Sequence, residues 1–269
     1  MRQAASRHME DLLRVRARSR KSFLLRRLHS LSGVFPVGVF LVSHLFTNAK
    51  ALKGQASFDR AVADINHLPA LPLLEIFGIF APLAFHALYG VKLAFEGRVN
   101  VGRYPYSRNV LYTVQRATGL VAFAFIVWHL WEFRIPKLLG RMSMDAFYPT
   151  LEAHLSSTYR GFPLMAVVYL VGMAASVVHF ANGLFTFSFS WGLCLTRRSQ
   201  RLFAAGFGIL GLIVFVLGAQ TTLYFATGAQ FPAAPDPNSS PTFEQCAVVD
   251  PTPRVPSPPA ASSVSPRIP

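Results

Sequence analysis

Apolar residues fall in five blocks, roughly Leu31–Ala49, Leu71–Phe95, Thr113–Phe133, Pro163–Phe187 and Leu202–Ala226, each 19 to 25 residues long. A helix of ~20 apolar residues at ~1.5 Å rise covers a ~30 Å hydrocarbon core, so each block is long enough to cross a bilayer. The pattern predicts an all-α integral membrane protein, a five-helix bundle over residues 31–226. Pro36 and Pro82 interrupt two of the blocks. They are tolerated where neighbouring helices or water satisfy the freed carbonyls. Between the third and fourth blocks, segment 134–160 has mixed charge and is expected to hold a short surface helix around Asp145–Leu155. The segment Lys50–Leu68 reads as a short polar loop.

Composition supports a membrane domain over a soluble core. The chain is 52% hydrophobic and 14% charged, where a soluble protein carries roughly 25% charged residues. The net charge of +14 would suggest nucleic acid in a soluble protein. Here it follows the positive-inside rule. Residues 1–30, with Arg98, Arg103, Arg108, Arg197, Arg198 and Arg201, place 15 Lys/Arg on one side, against seven in the first and third loops. The N-terminus is therefore expected in the cytoplasm and the C-terminus outside, in a multi-pass protein of the cell inner (cytoplasmic) membrane. Residues 1–30 form a basic cytoplasmic arm, suited to anionic lipid or to a soluble partner. Residues 227–269 are expected to form a Pro-rich, disordered outer tail, since the last 38 residues hold 11 of the 19 prolines and cannot bury a core. No cleavable signal peptide is expected.

The two cysteines, Cys194 and Cys246, fall on opposite sides of this topology and cannot pair within the chain. Two cysteines cannot supply a zinc or iron–sulfur site, and no C-x-x-C-H motif offers covalent haem attachment.

Four apolar blocks each carry one deep histidine: His44, His86, His129 and His179. An ionisable group inside a membrane is costly unless paired or ligated, which marks it as functional by default. Alternation of the spans sorts the four by depth. His44 and His129 lie near the outer ends of outward-running helices, and His86 and His179 lie toward the inner side. The pairing survives inversion of the whole topology. Two histidines at one depth on facing helices can be the axial ligands of a haem iron. The alternative for each is an interhelical hydrogen bond. Gly172, Gly90 and Gly183 suit either a flat macrocycle or close helix packing. His29, at the inner mouth of the first helix, can meet a haem propionate or a quinone, or simply sit at the interface. His8, His67 and His154 are expected to be solvated. The fifth block carries no histidine or acid, so its role is packing or lipid contact.

Only Glu75 and Glu132 among the acids fall within spans, both near outer ends. Eleven α-helical steps separate Glu75 from His86, which returns it to nearly the same face ~16 Å away. Either acid can exchange protons with a quinone, or can be an interfacial acid paired with Arg134 or Lys137. Arg116 and Lys92, near inner ends, can snorkel or neutralise propionates.

The segments RRLHSLSG, GVFLVSHL, LEIF, FHALYG, QRATG, WHLWE, HFANGL and LTRRSQR, in this order, closely resemble the dihaem cytochrome b anchor of succinate:menaquinone oxidoreductases and related fumarate reductases. The resemblance covers about residues 22–226. It implies two non-covalent b haems, the outer held by His44 and His129 and the inner by His86 and His179. It also implies a quinone site, with menaquinone as the acceptor. The partners implied are a flavoprotein subunit with FAD and an iron–sulfur subunit, both on the cytoplasmic side, with room for a higher oligomer of the complex. Within such a complex the chain is a subunit of succinate dehydrogenase, passing electrons from the iron–sulfur subunit to menaquinone. Glu75 and Glu132 are its candidate catalytic acids, and His29 and Arg116 its candidate propionate contacts. The chain has no flavin motif or cluster-binding cysteine set, so it is not expected to oxidise succinate alone. Quinol oxidation in a fumarate reductase, or an anchor for another dehydrogenase, are the nearest alternatives. A haem-free anchor or transporter with a histidine proton path is an alternative of another class.

Overall fold

The computed structural model describes residues 20–229. Residues 1–19 of the basic arm, with His8, and the Pro-rich tail from residue 230, with Cys246, lie outside the described residues. Five helices are long and apolar enough to cross a membrane: α1 Arg20–Lys53, α3 Leu71–Glu96, α4 Ser107–Leu138, α6 Leu164–Ser190 and α7 Arg197–Thr227. Two shorter helices lie between spans, α2 Gln55–Asn66 and α5 Phe147–Leu155. The described residues contain no strand, only an isolated bridge between Tyr159 and Phe162.

The expected loop helix is present as α5. The segment read as a short polar loop instead contains α2. That helix buries only Phe58, so its apolar stripe is too thin to register in the sequence. α1 is already helical at Arg20, the first described residue and well ahead of its apolar block, because Arg and Lys favour helix and their stems can lie along apolar surface. Pro36 interrupts α1, having no N–H to give the helix.

Two wide π-helical stretches have a common cause. Leu74–Phe80 in α3 runs into Pro82, and Leu130–Arg134 in α4 runs into Pro136. A proline removes one backbone donor and crowds the carbonyl four residues back. The chain answers by widening the turn ahead of it, a device found often at functional sites. Each wide stretch contains one of the two intramembrane acids, Glu75 or Glu132. A π turn rotates less per residue than an α turn. The eleven-step face argument from Glu75 to His86 therefore does not carry across α3.

α6 is the core helix of the bundle. A third of its apolar window (33%) is buried, against none (0%) for α3. Small residues allow this. Gly172, Ala175 and Ser176 are buried on α6, and Gly211 and Gly218 of α7 lie against Ala181 and Met173. α7 therefore packs the bundle, as its lack of histidine and acid suggests. Beyond α6 and α7, a cap of Ala51, Phe58, Phe133, Tyr148, Leu155, Tyr169 and Phe225 closes one end, with α2 and α5 over it. Tyr148 and Tyr224 share a hydrogen bond there at 3.2 Å. Burial, then that bond, pushes the Tyr148 hydroxyl above its ordinary value. The capped end is called the α2/α5 end below.

Candidate functional site

The four deep histidines meet in two pairs. His44 of α1 and His129 of α4 have ring centres 5.9 Å apart at 71°, and His86 of α3 and His179 of α6 are 6.1 Å apart at 81°. Two imidazoles on one iron set their ring centres roughly 6 Å apart, from a ~2 Å metal–nitrogen bond and ~1 Å more to each ring centre. Both pairs match that spacing. No cluster of three or more His, Cys, Asp or Glu occurs among the described residues, and a haem iron needs only two axial ligands.

The backbone fixes the ring orientation in one pair. Nδ1 of His86 lies 2.9 Å from the carbonyl oxygen of His29, and Nδ1 of His179 lies 2.9 Å from that of Gln115. A carbonyl only accepts, so Nδ1 carries the proton in both rings and Nε2 holds the lone pair; that of His179 has Nε2 of Gln115 at 3.4 Å, a donor that a metal would displace. Gln115 supports the second ring. Its Nε2 donates to the His179 carbonyl at 3.1 Å, and its Oε1 accepts from Asn182 at 2.8 Å. Glycines give both rings room. A Cβ on Gly33 would meet the ring of His86, and one on Gly119 would lie 2.8 Å from Cε1 of His179. The glycines singled out from the sequence are placed otherwise. Gly90 faces His29, Gly183 faces Gln115 and Gly172 faces Phe125.

Unpartnered polar atoms lie beside this pair. Nδ1 of His29 and Nε and Nη1 of Arg116 are buried with no hydrogen-bond partner. His29 stacks on His86 at 4.1 Å and 9°. Arg116 donates from Nη2 to the Leu93 carbonyl at 3.2 Å and stacks 3.5 Å from the Tyr112 ring centre. Buried donors without acceptors are costly. A carboxylate brought by a ligand is the chemistry that would satisfy them, so the donor set fits a haem with its propionates.

Side chains surround the other pair. Nδ2 of Asn48 lies 3.3 Å from Nε2 of His44, and Nδ1 of His129 lies 3.3 Å from the Tyr169 hydroxyl. Tyr169 donates to Oε2 of Glu132 at 3.0 Å, and Oε1 of Glu132 is 2.9 Å from Nε2 of His154. His154 was expected to be solvated, but its side chain is only 27% exposed. α5 folds back over the bundle and carries it in, a tertiary effect with no signal in the local sequence. Tyr169 was missed for a similar reason: one tyrosine in an apolar span reads as packing. Glu75 is the ion-paired acid. Arg134 donates to Oε1 at 2.8 Å and Oε2 at 2.6 Å. Lys137 instead donates to Asn66 of α2 at 2.7 Å. Lys92 is exposed and pairs with Glu96 at 3.7 Å, and His67 is exposed on its loop.

Two facing imidazole pairs, at the two ends of a five-span bundle, suit one-electron carriers better than hydrolysis or group transfer. Similarity to known proteins gives the family. No family model matches the chain. Over 196 residues the chain is 42% identical to the succinate dehydrogenase cytochrome b558 subunit of Bacillus subtilis (strain 168), covering 73% of this chain and 91% of that protein. That identity, over nearly the whole relative, and five apolar spans in the structure establish that this multi-pass membrane protein belongs to the succinate dehydrogenase cytochrome b family of membrane anchors.

Proposed function

We propose that the chain holds two b haems, one between His44 and His129 and one between His86 and His179, and so links a soluble dehydrogenase to quinone. The observation that carries this reading is the pair of histidine separations, 5.9 and 6.1 Å, each near the span of two imidazoles on one iron. When bound, the haems supply one-electron transfer between an iron–sulfur partner at the His86/His179 end and menaquinone at the α2/α5 end. The partners are a flavoprotein that oxidises succinate at FAD and an iron–sulfur subunit, both on the cytoplasmic side. The α2/α5 end then faces outward.

The chain's own residues orient, neutralise and protonate. The carbonyls of His29 and Gln115 fix the tautomers of His86 and His179. Arg116, with buried donors that lack acceptors, neutralises a propionate at the same end, and His29 offers one a hydrogen bond. At the other end Glu75 and Glu132 are the acids within reach of a quinone. The low charge density of the spans keeps water out between the two ends.

Pyridine haemochrome analysis of the purified chain, beside His129→Ala and His86→Ala, tests the reading. Two b haems are expected, with one lost or spectrally altered in each variant. No haem, or a haem untouched by both substitutions, overturns it.

A further inference from the structure

The two acids at the α2/α5 end are held differently. Both oxygens of Glu75 accept from one guanidinium, that of Arg134. A proton placed on Glu75 would break one of two charge-assisted bonds. Glu132 has no Lys or Arg ion pair among the described residues. Tyr169 donates to its Oε2, and Nε2 of His154 lies 2.9 Å from its Oε1 without hydrogen-bond alignment, so that a turn of the imidazole ring would complete the contact; both are groups that can pass a proton. His154 also lines an open groove of about 500 Å³ with Pro149, Thr150, Ala153 and Ser157. The chain of contacts from the groove to a deep histidine is therefore His154, Glu132, Tyr169, His129, and none of the three steps exceeds 3.3 Å.

Resting on the haem reading above, we propose that Glu132 and His154 form a proton port. One electron arriving on the iron held by His44 and His129 draws one proton from the groove onto Glu132. In a low-dielectric interior an added negative charge is costly unless a positive charge follows it. The step balances. An iron held there would pass from ferric to ferrous with that electron, while a hydronium ion in the groove would give its proton to the free ring nitrogen of His154 and be left as water, the N–H bond facing Glu132 would break and an O–H bond would form on Glu132. The His154 ring ends with as many protons as it began, and Tyr169 remains a neutral hydroxyl that bridges Glu132 and His129. The electron comes from the iron–sulfur partner in the complex, and from dithionite through mediators in a titration.

The charged and titratable groups around Glu132 come from four other elements and its own. Tyr169 faces it from α6 and His154 from α5, while Glu75 of α3 is held by Arg134 instead. His44 of α1 is edge-on to His129, and His129, Arg134 and Lys137 share α4 with it. Of these, His154 alone lines the groove.

Redox titration of the haem-loaded protein at several pH values tests the port. The haem altered by His129→Ala is the one to follow. Its midpoint is expected to fall as pH rises, toward ~59 mV per pH unit, the shift for a tenfold change in proton activity at one proton per electron. Glu132→Gln and His154→Gln are expected to flatten that slope, Glu132→Asp to restore part of it, and Glu75→Gln to leave it. A protonated-carboxyl infrared band that grows on reduction is expected in the unmodified protein and lost in Glu132→Gln. If Glu132→Gln loses haem, the His154→Gln slope carries the test. A slope that survives both substitutions, or that only Glu75→Gln abolishes, overturns the port while leaving the haem reading standing. A haem count below two in the unmodified protein overturns the haem reading itself.

Discussion

The two histidine pairs sit in one bundle at nearly the same separation, yet they are held by different chemistry. His86 and His179 are fixed by backbone carbonyls, and the basic groups beside them, His29 and Arg116, keep buried nitrogens without hydrogen-bond partners. His44 and His129 are flanked by side chains, Asn48 on one and Tyr169 with Glu132 behind it on the other. A carbonyl partner cannot leave without unwinding its helix. A hydroxyl or carboxylate can rotate and change its proton. One end is therefore built as a fixed mount and the other as an adjustable one. On the function proposed above, that division would suit a carrier with a protein partner at the fixed end and a proton-consuming reaction at the adjustable one.

Matched glycine substitutions should break the comparison most sharply. A side chain at Gly119 takes the place of the His179 ring, whose Cε1 and Nδ1 lie 2.8 and 3.0 Å from the added Cβ. A side chain at Gly172 runs into Phe125, which stacks on His129 at 5.8 Å and 22°. Overpacking of this kind costs about 1–3 kcal/mol. Gly119→Val is expected to remove or perturb only the haem lost in His86→Ala, and Gly172→Val only the one lost in His129→Ala. Optical spectra of the reduced proteins check it. Loss of both haems in either variant would mean the two mounts are not independent.

A smaller effect is expected from the ion pair that ties α3 to α4. Arg134→Ala leaves Glu75 without its clamp. Losing one partner of a fully buried pair costs ~3–5 kcal/mol. Here the side chains of Arg134 and Glu75 remain 21% and 18% exposed, so about 2 kcal/mol is expected. The double variant Arg134→Met with Glu75→Leu should recover most of that loss in a thermal melt in detergent. No recovery would show that Arg134 acts through other contacts, such as its position 5.2 Å from the Phe80 ring centre.

The spans and the depth pairing of the histidines were legible because they rest on length and alternation, which a linear pattern records. What surrounds each histidine was not. The partners of His86 and His179 are main-chain oxygens, which every residue carries, so no side chain announces them. Gly33 and Gly119 differ from other glycines only in what faces them across the bundle. Glu75 and Glu132 looked alike in the sequence, each an acid near an outer end. Their difference arises from the clamp that Arg134 places on Glu75, and from Tyr169 and the fold-back of α5 that brings His154 to Glu132. His29 and Arg116 were legible as candidates, but their free donors were not.

The smallest expected effect lies in the cap, which sharpens the comparison by leaving both pairs alone. Tyr148→Phe removes one hydrogen bond, 3.2 Å to Tyr224, worth about 0.5–1.5 kcal/mol. Burial raises the titration of the Tyr148 hydroxyl in the folded protein. In the unfolded chain it titrates near ~10. The folded state therefore holds this proton more tightly, and its contribution is complete below pH ~10 and is lost as pH rises above it. Tyr148→Phe should make the protein slightly less stable at neutral pH and flatten the alkaline decline. Thermal melts from pH 8 to 11 read both effects, and both haem spectra should remain those of the unmodified protein. A change in the spectrum assigned to His44 and His129 would show that the cap reaches that pair, and that the adjustable end extends into α5 and α7.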